Sequence, residues 1–159
     1  MTKAETYEIP VRLDFDKVAK TFSRAMAHLD HAATKELDRV DFAVGLRELL
    51  RLRASQLNGC AYCVDMHTRD ALAAGESEQR VYSLPVWRET PFFTARERAA
   101  LAFAEAVTLV AADHVPDELY AEIAEHYSGD EIGALVALLV VINAWNRIGV
   151  STRAWPPGS

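Results

Sequence analysis

The chain has 159 residues, 50% of them hydrophobic and 25% charged, enough for one globular domain that buries a sizeable core. Its formal net charge of -6 argues against a nucleic-acid partner, which needs clustered Lys and Arg to displace counterions. The opening residues lack the apolar stretch of a secretory signal, and the longest apolar run, Ile132 to Ile142, falls short of the roughly 18 residues of a bilayer span. The expectation is a cytoplasmic protein with no membrane partner.

Residues 1–13 carry Pro10 and mixed polarity without a period, which predicts an extended arm, suited to lying on a neighbour, ahead of a helical domain over 14–159. From Asp14, a candidate N-cap, the apolar positions Phe15, Val18, Ala19, Phe22, Met26 and Leu29 recur at three and four. This predicts a helix ending near His31. His28 and His31 are one turn apart, a spacing more often found as surface histidines than as a metal site. A second helix is predicted from Asp38 to Asn58, with Phe42, Leu46, Leu49, Leu50, Leu52 and Leu57 as its buried stripe. Asn58-Gly59 stops it, because both residues tolerate the left-handed conformation.

The third predicted helix starts at Cys60 and closes at Gly75. Pro85 and Pro91 break the next stretch into short turns around Val81-Tyr82 and Val86-Trp87, with Trp87, Phe92 and Phe93 capping the core. Thr94-x-x-Glu97 is a capping box that opens a helix running to about Ala111. Pro116 occupies the first position of a helix ending near Tyr127. Ser128-x-x-Glu131 opens the last helix, apolar on nearly every face and therefore buried in the fold or at a subunit interface. No segment alternates with period two, so the fold class is all-α, a single-domain bundle of about six or seven helices.

Both cysteines and one histidine fall inside the third helix. Cys60, Cys63 and His67 stand at i, i+3 and i+7, within about 60° of arc on one face. Cysteines at a helix N-terminus meet the positive end of the helix dipole, which favours thiolate. At i and i+3 the α-carbons are about 5 Å apart, inside disulfide range, so the pair can close and open. His67 lies one turn beyond Cys63, close enough to take its proton, which makes Cys63 the better-served nucleophile. A reversal at Asn58-Gly59 brings Glu48 back alongside His67, where a carboxylate orients the imidazole and raises its basicity.

Glu48, Cys60, Cys63 and His67 together match E-x11-C-x2-C-x3-H, and with that pattern the chain resembles the alkylhydroperoxidase D family within the carboxymuconolactone decarboxylase-like fold. The resemblance is dense across SQLNGCAYC and DMHTRDALAAGE and continues more loosely through WRETPFFT and INAWNRI. It implies an all-helical subunit that assembles into trimers or hexamers and reduces peroxides without cofactor or metal. In that family the second cysteine attacks the peroxide, which here is Cys63. Cys60 then resolves the sulfenic acid as a disulfide, His67 and Glu48 relay protons, and an external thiol or dithiol restores the pair. The chain departs from the best-studied type at Tyr62, where that type carries histidine between the cysteines.

Four other readings use the same residues. Zinc accepts Cys, His and Glu ligands, but Cys60 and His67 on one straight helix are separated by a rise of about 10 Å. Haem attachment needs His directly after CxxC, and Val64 stands there. A lyase on a lactone or carboxylated ring would use His67 and Glu48 as acid and base and leave the cysteines idle. A redox-sensing oligomeric binding protein would change partner on oxidation. Tyr62 reads as a packed aromatic, Asp65 and Arg69 as an exposed ion pair, and His114 and His126 as surface residues. Asn143, Trp145, Asn146 and Arg147 serve the structure or line a pocket or interface.

Overall fold

The computed structural model describes residues 7–158. Among them are nine α-helices, one 3-10 helix and no strand, so the all-α class holds and the helix count exceeds the expected six or seven. The first six residues of the expected arm lie outside the described residues. Residues 7–13 have no regular structure, and the amides of Arg12 and Leu13 both donate to the carbonyl of Thr152, at 2.9 and 3.1 Å.

The helix expected from Asp14 forms as two pieces, α1 (Phe15–Val18) and α2 (Lys20–Arg39), separated at Ala19 (φ -118°, ψ 41°). Asp14 caps α1 as anticipated, accepting from the Lys17 amide at 3.3 Å. The buried stripe of α2, Met26, Ala33 and Leu37, carries the helix past His31 to Arg39. The expected start of the second helix at Asp38 therefore falls inside α2. The stop is made by Asp41 in the left-handed region (φ 51°): its amide donates to Asp38 O at 3.1 Å and the Phe42 amide to Leu37 O at 2.9 Å. Glycine usually fills that position, and aspartate is among the few residues that replace it. Buried Arg47 fastens the turn, with Nε donating to Phe42 O (2.8 Å) and Nη1 to Asp38 Oδ1 (2.6 Å).

α3 (Val44–Asn58) and α4 (Ala61–Ala73) follow as a tight antiparallel pair. The reversal is the one predicted: Gly59 sits at φ 68°, its amide donating to Gln56 O and that of Cys60 to Ser55 O. After α4 come α5 (Glu78–Ser83) and the 3-10 helix (Leu84–Glu89), α6 (Ala95–Thr108), α7 (Val110–Asp113), α8 (Asp117–His126) and α9 (Gly129–Thr152). Both capping boxes are formed, each with its reciprocal pair of bonds. Pro116 stands one place earlier than expected, as the extended N-cap of α8. Leu109 (φ -97°, ψ 26°) splits the helix expected to reach Ala111.

α3 lies at the centre, against α4, α6 and α9, and contributes Leu49, Leu50 and Leu52 to a core completed by Leu101 and Phe103 of α6 and Leu135, Leu138 and Leu139 of α9. Trp87 and Phe93 close it as the sequence suggested, with Phe92 partly buried. By length and composition α9 is capable of crossing a bilayer, yet its leucines fill the bundle, while Val136, Val140 and Val150 are exposed. A polar seam crosses this apolar contact. Asn58 Nδ2 donates to Asn143 Oδ1 and Asn146 Oδ1, both at 2.9 Å, and Asn146 Nδ2 donates to Ser55 Oγ at 3.0 Å.

Asn146 is fully buried, so truncating it removes one hydrogen bond each from Asn58 and Ser55 at a place closed to water. Asn146→Ala is expected to cost about 2 kcal/mol, measured by urea denaturation. A loss below about 0.5 kcal/mol, the range of neutral surface changes, would show that the seam is dispensable.

Candidate active site

The α3–α4 reversal brings the four residues of the sequence pattern to one place. Cys60 is the N-cap residue of α4 in extended backbone (φ -84°, ψ 97°), and Cys63 follows in the first turn. Their α-carbons are 5.3 Å apart and their sulfurs are joined in a disulfide. Both cysteines are 2% exposed, His67 6% and Glu48 8%. All four are therefore shielded from bulk water.

Glu48 Oε2 lies 2.9 Å from His67 Nδ1, and its Oε1 accepts from Arg51 Nη1 at 2.5 Å. Burial pushes the Glu48 carboxyl up, but the His67 hydrogen bond and the Arg51 charge outweigh it and hold the group below its ordinary value of 4.5. An ionised carboxylate only accepts, so Nδ1 carries the imidazole proton of neutral His67 and Nε2 is left as the basic nitrogen. Arg51 Nη2 also reaches Asp30 Oδ1 at 3.9 Å, and Asp30 Oδ2 accepts from Trp145 Nε1 at 3.1 Å. Asp70 Oδ2 stands 3.7 Å from the same His67 nitrogen. Glu48, His67 and Asp70 thus offer ligand atoms within 4.8 Å of one another, although a metal there would have to displace the Glu48–His67 bond and sit beside the Arg51 charge.

A cavity of about 290 Å³ opens over the first turns of α4. Tyr62, Cys63 and His67 form one wall and Val141, Ile142 and Trp145 of α9 another, with Asp16, Asp30, Arg51, Met66 and Trp155 around the rest. The two sulfurs are placed unequally. Cys63 faces this cavity, whereas Cys60 lies against the backbone of Gly149, where an added Cβ would stand 2.9 Å from Cys60 Sγ. Tyr62 packs on Trp155 with ring centroids 5.8 Å apart, the aromatic role expected of it. Asp65 and Arg69 form the anticipated pair at 2.9 Å. His28, His31 and His114 are exposed and His126 is half-buried. The four polar or aromatic residues late in α9 divide: Trp145 lines the cavity, Asn143 and Asn146 join the polar seam, and Arg147 donates back to Asn143.

Sequence reasoning missed Arg51, Asp30, Gly149 and Trp155. Arg51 stands three residues after Glu48 on the same helix, and that spacing was a readable signal. Asp30, Gly149 and Trp155 arrive from α2, from α9 and from the segment after α9, and no local pattern points to them.

A helical bundle with a CxxC pair at a helix N-terminus, set against a buried pair made by a His of that same helix and a Glu of the preceding one, defines the AhpD-like class of proteins. The family model for the carboxymuconolactone decarboxylase family matches residues 20–106, and the chain belongs to that family. It is 49% identical over 105 residues, 66% of its own length and 71% of the relative's, to the uncharacterized protein YdfG of Bacillus subtilis (strain 168). It is similar in structure to a protein of unknown function from Agrobacterium tumefaciens, described as a candidate antioxidant defence protein AhpD. That match has a TM-score of 0.87 and 34% identity, covering 94% of this chain and 100% of that one. The debrominase Bmp8 shares the fold at a TM-score of 0.67 and 22% identity, over 80% of this chain and 70% of its own.

The depressed Glu48 carboxyl has a consequence for stability. Its folded-state pKa lies below the unfolded one, so its contribution is complete above the ordinary carboxylate range and drains away as pH falls through the folded value. The unfolding free energy of wild type should exceed that of Glu48→Gln at neutral pH, and the gap should shrink as pH falls below 4.5. A gap unchanged down to about pH 3 would show that the charge of Glu48 adds nothing to the fold.

Proposed function

We propose that this protein is a thiol-dependent peroxidase or disulfide oxidoreductase that reduces alkyl or hydrogen peroxide through the Cys60–Cys63 pair, with His67 and Glu48 as its proton relay. The observation that carries the reading is the Cys60–Cys63 disulfide with Cys63 facing a cavity that it shares with His67. Starting from the dithiol, His67 Nε2 takes the Cys63 proton, and the thiolate attacks the terminal oxygen of the peroxide. The O–O bond breaks, the alkoxide leaves and is protonated by His67, and Cys63 is left as sulfenic acid. The Cys60 thiol then attacks Cys63 Sγ, water departs, and the disulfide forms. Two electrons and two protons from an external thiol or dithiol reset the pair, and no cofactor or metal enters the cycle. Glu48, ionised throughout, holds the imidazole and stabilises its protonated form. A reducing compartment such as the cytoplasm sustains this cycle, with no role for nucleic acid or membrane.

Reduced protein treated with excess peroxide should lose two thiols per chain and gain a Cys60–Cys63 linkage by mass spectrometry. Cys63→Ser should abolish peroxide consumption, with a loss of at least about 10³-fold, since the nucleophile itself is gone. Cys60→Ser should stop after one turnover with a trappable sulfenic acid on Cys63. A pair that stays reduced in excess peroxide would sink the proposal. A double-serine variant that still turned over a lactone would favour the lyase reading.

The same reading includes a homo-oligomer, a trimer or hexamer on the family pattern. What supports it is apolar surface without cover on the single chain: Val18, Phe22 and Leu29 near the N-terminus, and Val136 and Val140 on α9. Light scattering should return a mass of three or six subunits; a monodisperse monomer would refute the assembly.

A further inference from the structure

α9 ends at Thr152, and Arg153 turns the chain through the left-handed region (φ 51°). The segment that follows returns over the first turns of α4 and is fastened there at several points. The Trp155 ring packs 5.8 Å from Tyr62 and 5.7 Å from Trp145, centroid to centroid. Its Nε1 donates to Asp16 Oδ2 at 2.8 Å, and Asp16 is held in turn by Ser23 Oγ at 2.5 Å. Three residues on, the Gly158 amide donates to Asp65 Oδ2 at 2.9 Å. At Gly149 an added Cβ would meet Cys60 Sγ at 2.9 Å and Trp155 Cε3 and Cζ3 at 3.7 Å. The indole edge and the buried sulfur therefore converge on one bare stretch of backbone.

This arrangement bears on how the disulfide is opened. An incoming thiolate must approach one sulfur along the S–S axis and expel the other. Cys60 is sealed behind α9 and Trp155, so the open line leads through the cavity to Cys63 Sγ, with Cys60 thiolate as leaving group. A small dithiol fits a space of about 290 Å³. A cysteine on a protein carries its sulfur only about 3 Å from its own α-carbon, so its backbone would have to occupy the place of the Trp155 segment.

We propose that Trp155 and the segment carrying it select the reductant: in place, they admit a small dithiol through the cavity and hold out a protein-borne one, and on release they admit both. The proposal rests on the reading that the Cys60–Cys63 pair cycles. In either case the first thiolate forms a mixed disulfide with Cys63 and frees Cys60. The second thiol of the reductant then displaces Cys63, leaving the reductant as a disulfide and the protein with two thiols. Asp65 acts on this step only through the position of Trp155, whereas Asp16 both holds Trp155 and lines the cavity itself.

The test measures reduction of the oxidised full-length chain, with no peroxide present, by dithiothreitol and by reduced thioredoxin as a protein dithiol probe. New thiols are trapped by alkylation and counted by mass spectrometry. Trp155→Ala should raise the thioredoxin rate at least about tenfold while changing the dithiothreitol rate by less than about threefold, since access and not thiol chemistry has changed. Asp65→Ala, which leaves the cavity wall intact and loosens the far end of the segment, should move the ratio of the two rates in the same direction. It keeps the test decisive if Trp155→Ala fails to fold. Rates that rise equally for both reductants, or a thioredoxin rate unmoved in the folded variants, would overturn selection by Trp155 and leave the redox reading standing. A disulfide that dithiothreitol cannot reduce in native wild type or variants would overturn both.

Discussion

A carboxylate buried inside a helical bundle must be compensated, and much of this structure follows from how Glu48 is. An unpaired buried ion costs several kcal/mol, so the fold is committed to holding His67 on one oxygen and Arg51 on the other. Arg51 reaches on to Asp30 of α2, and Asp30 takes the indole N–H of Trp145 on α9. One charge thereby registers four helices, α2, α3, α4 and α9, against each other. The apolar core alone would tolerate slippage between leucine-rich faces. The ion pairs and the asparagine seam at Asn58, Asn143 and Asn146 are directional and specify a single register.

In the local sequence the two cysteines differ in their distance from His67, and tertiary packing makes them further unequal. Both belong to the N-terminal turn of one helix, and both gain from its dipole. What separates them is α9, which presses the bare backbone of Gly149 against Cys60 and withdraws at Val141, Ile142 and Trp145 to leave room over Cys63. Glycine at 149 is required by this close approach and by no special backbone angle.

Legibility in the sequence followed the range of the forces involved. The capping boxes at Thr94 and Ser128, the Asn58-Gly59 reversal and the helical register of Cys60, Cys63 and His67 are set within a few residues, and they were readable. The end of α2 was not, because Asp41 performs the stop that a glycine usually signals. Neither were the interruptions at Ala19 and Leu109, where ordinary helix formers leave helical geometry. The Glu48–His67 contact was legible only because the turn between α3 and α4 is short enough to fix the phase of both helices. Asp30 and Trp155 reach the site across 115 and 139 residues in their bonds to Trp145 and Asp16, and periodicity carries no information at that separation.

Tyr62 links the site chemistry to the segment after α9. At this position the best-studied pattern of the resemblance carries a histidine, a group that exchanges protons; here a phenol ring is turned onto Trp155. The phenol offers a packing surface where that pattern has an imidazole, and two consequences follow together. The cavity wall carries one imidazole, that of His67, with its Nδ1 held by buried Glu48. The aromatic face, in turn, gives Trp155 something to rest on, so the residue between the cysteines joins the redox turn of α4 to its cover. A histidine at 62 would supply a second base and a poorer seat for the indole. On the proposed reading the tyrosine and the fastened segment form one adaptation, in which the proton relay is left to Glu48 and His67 and position 62 supports the cover over the sulfur.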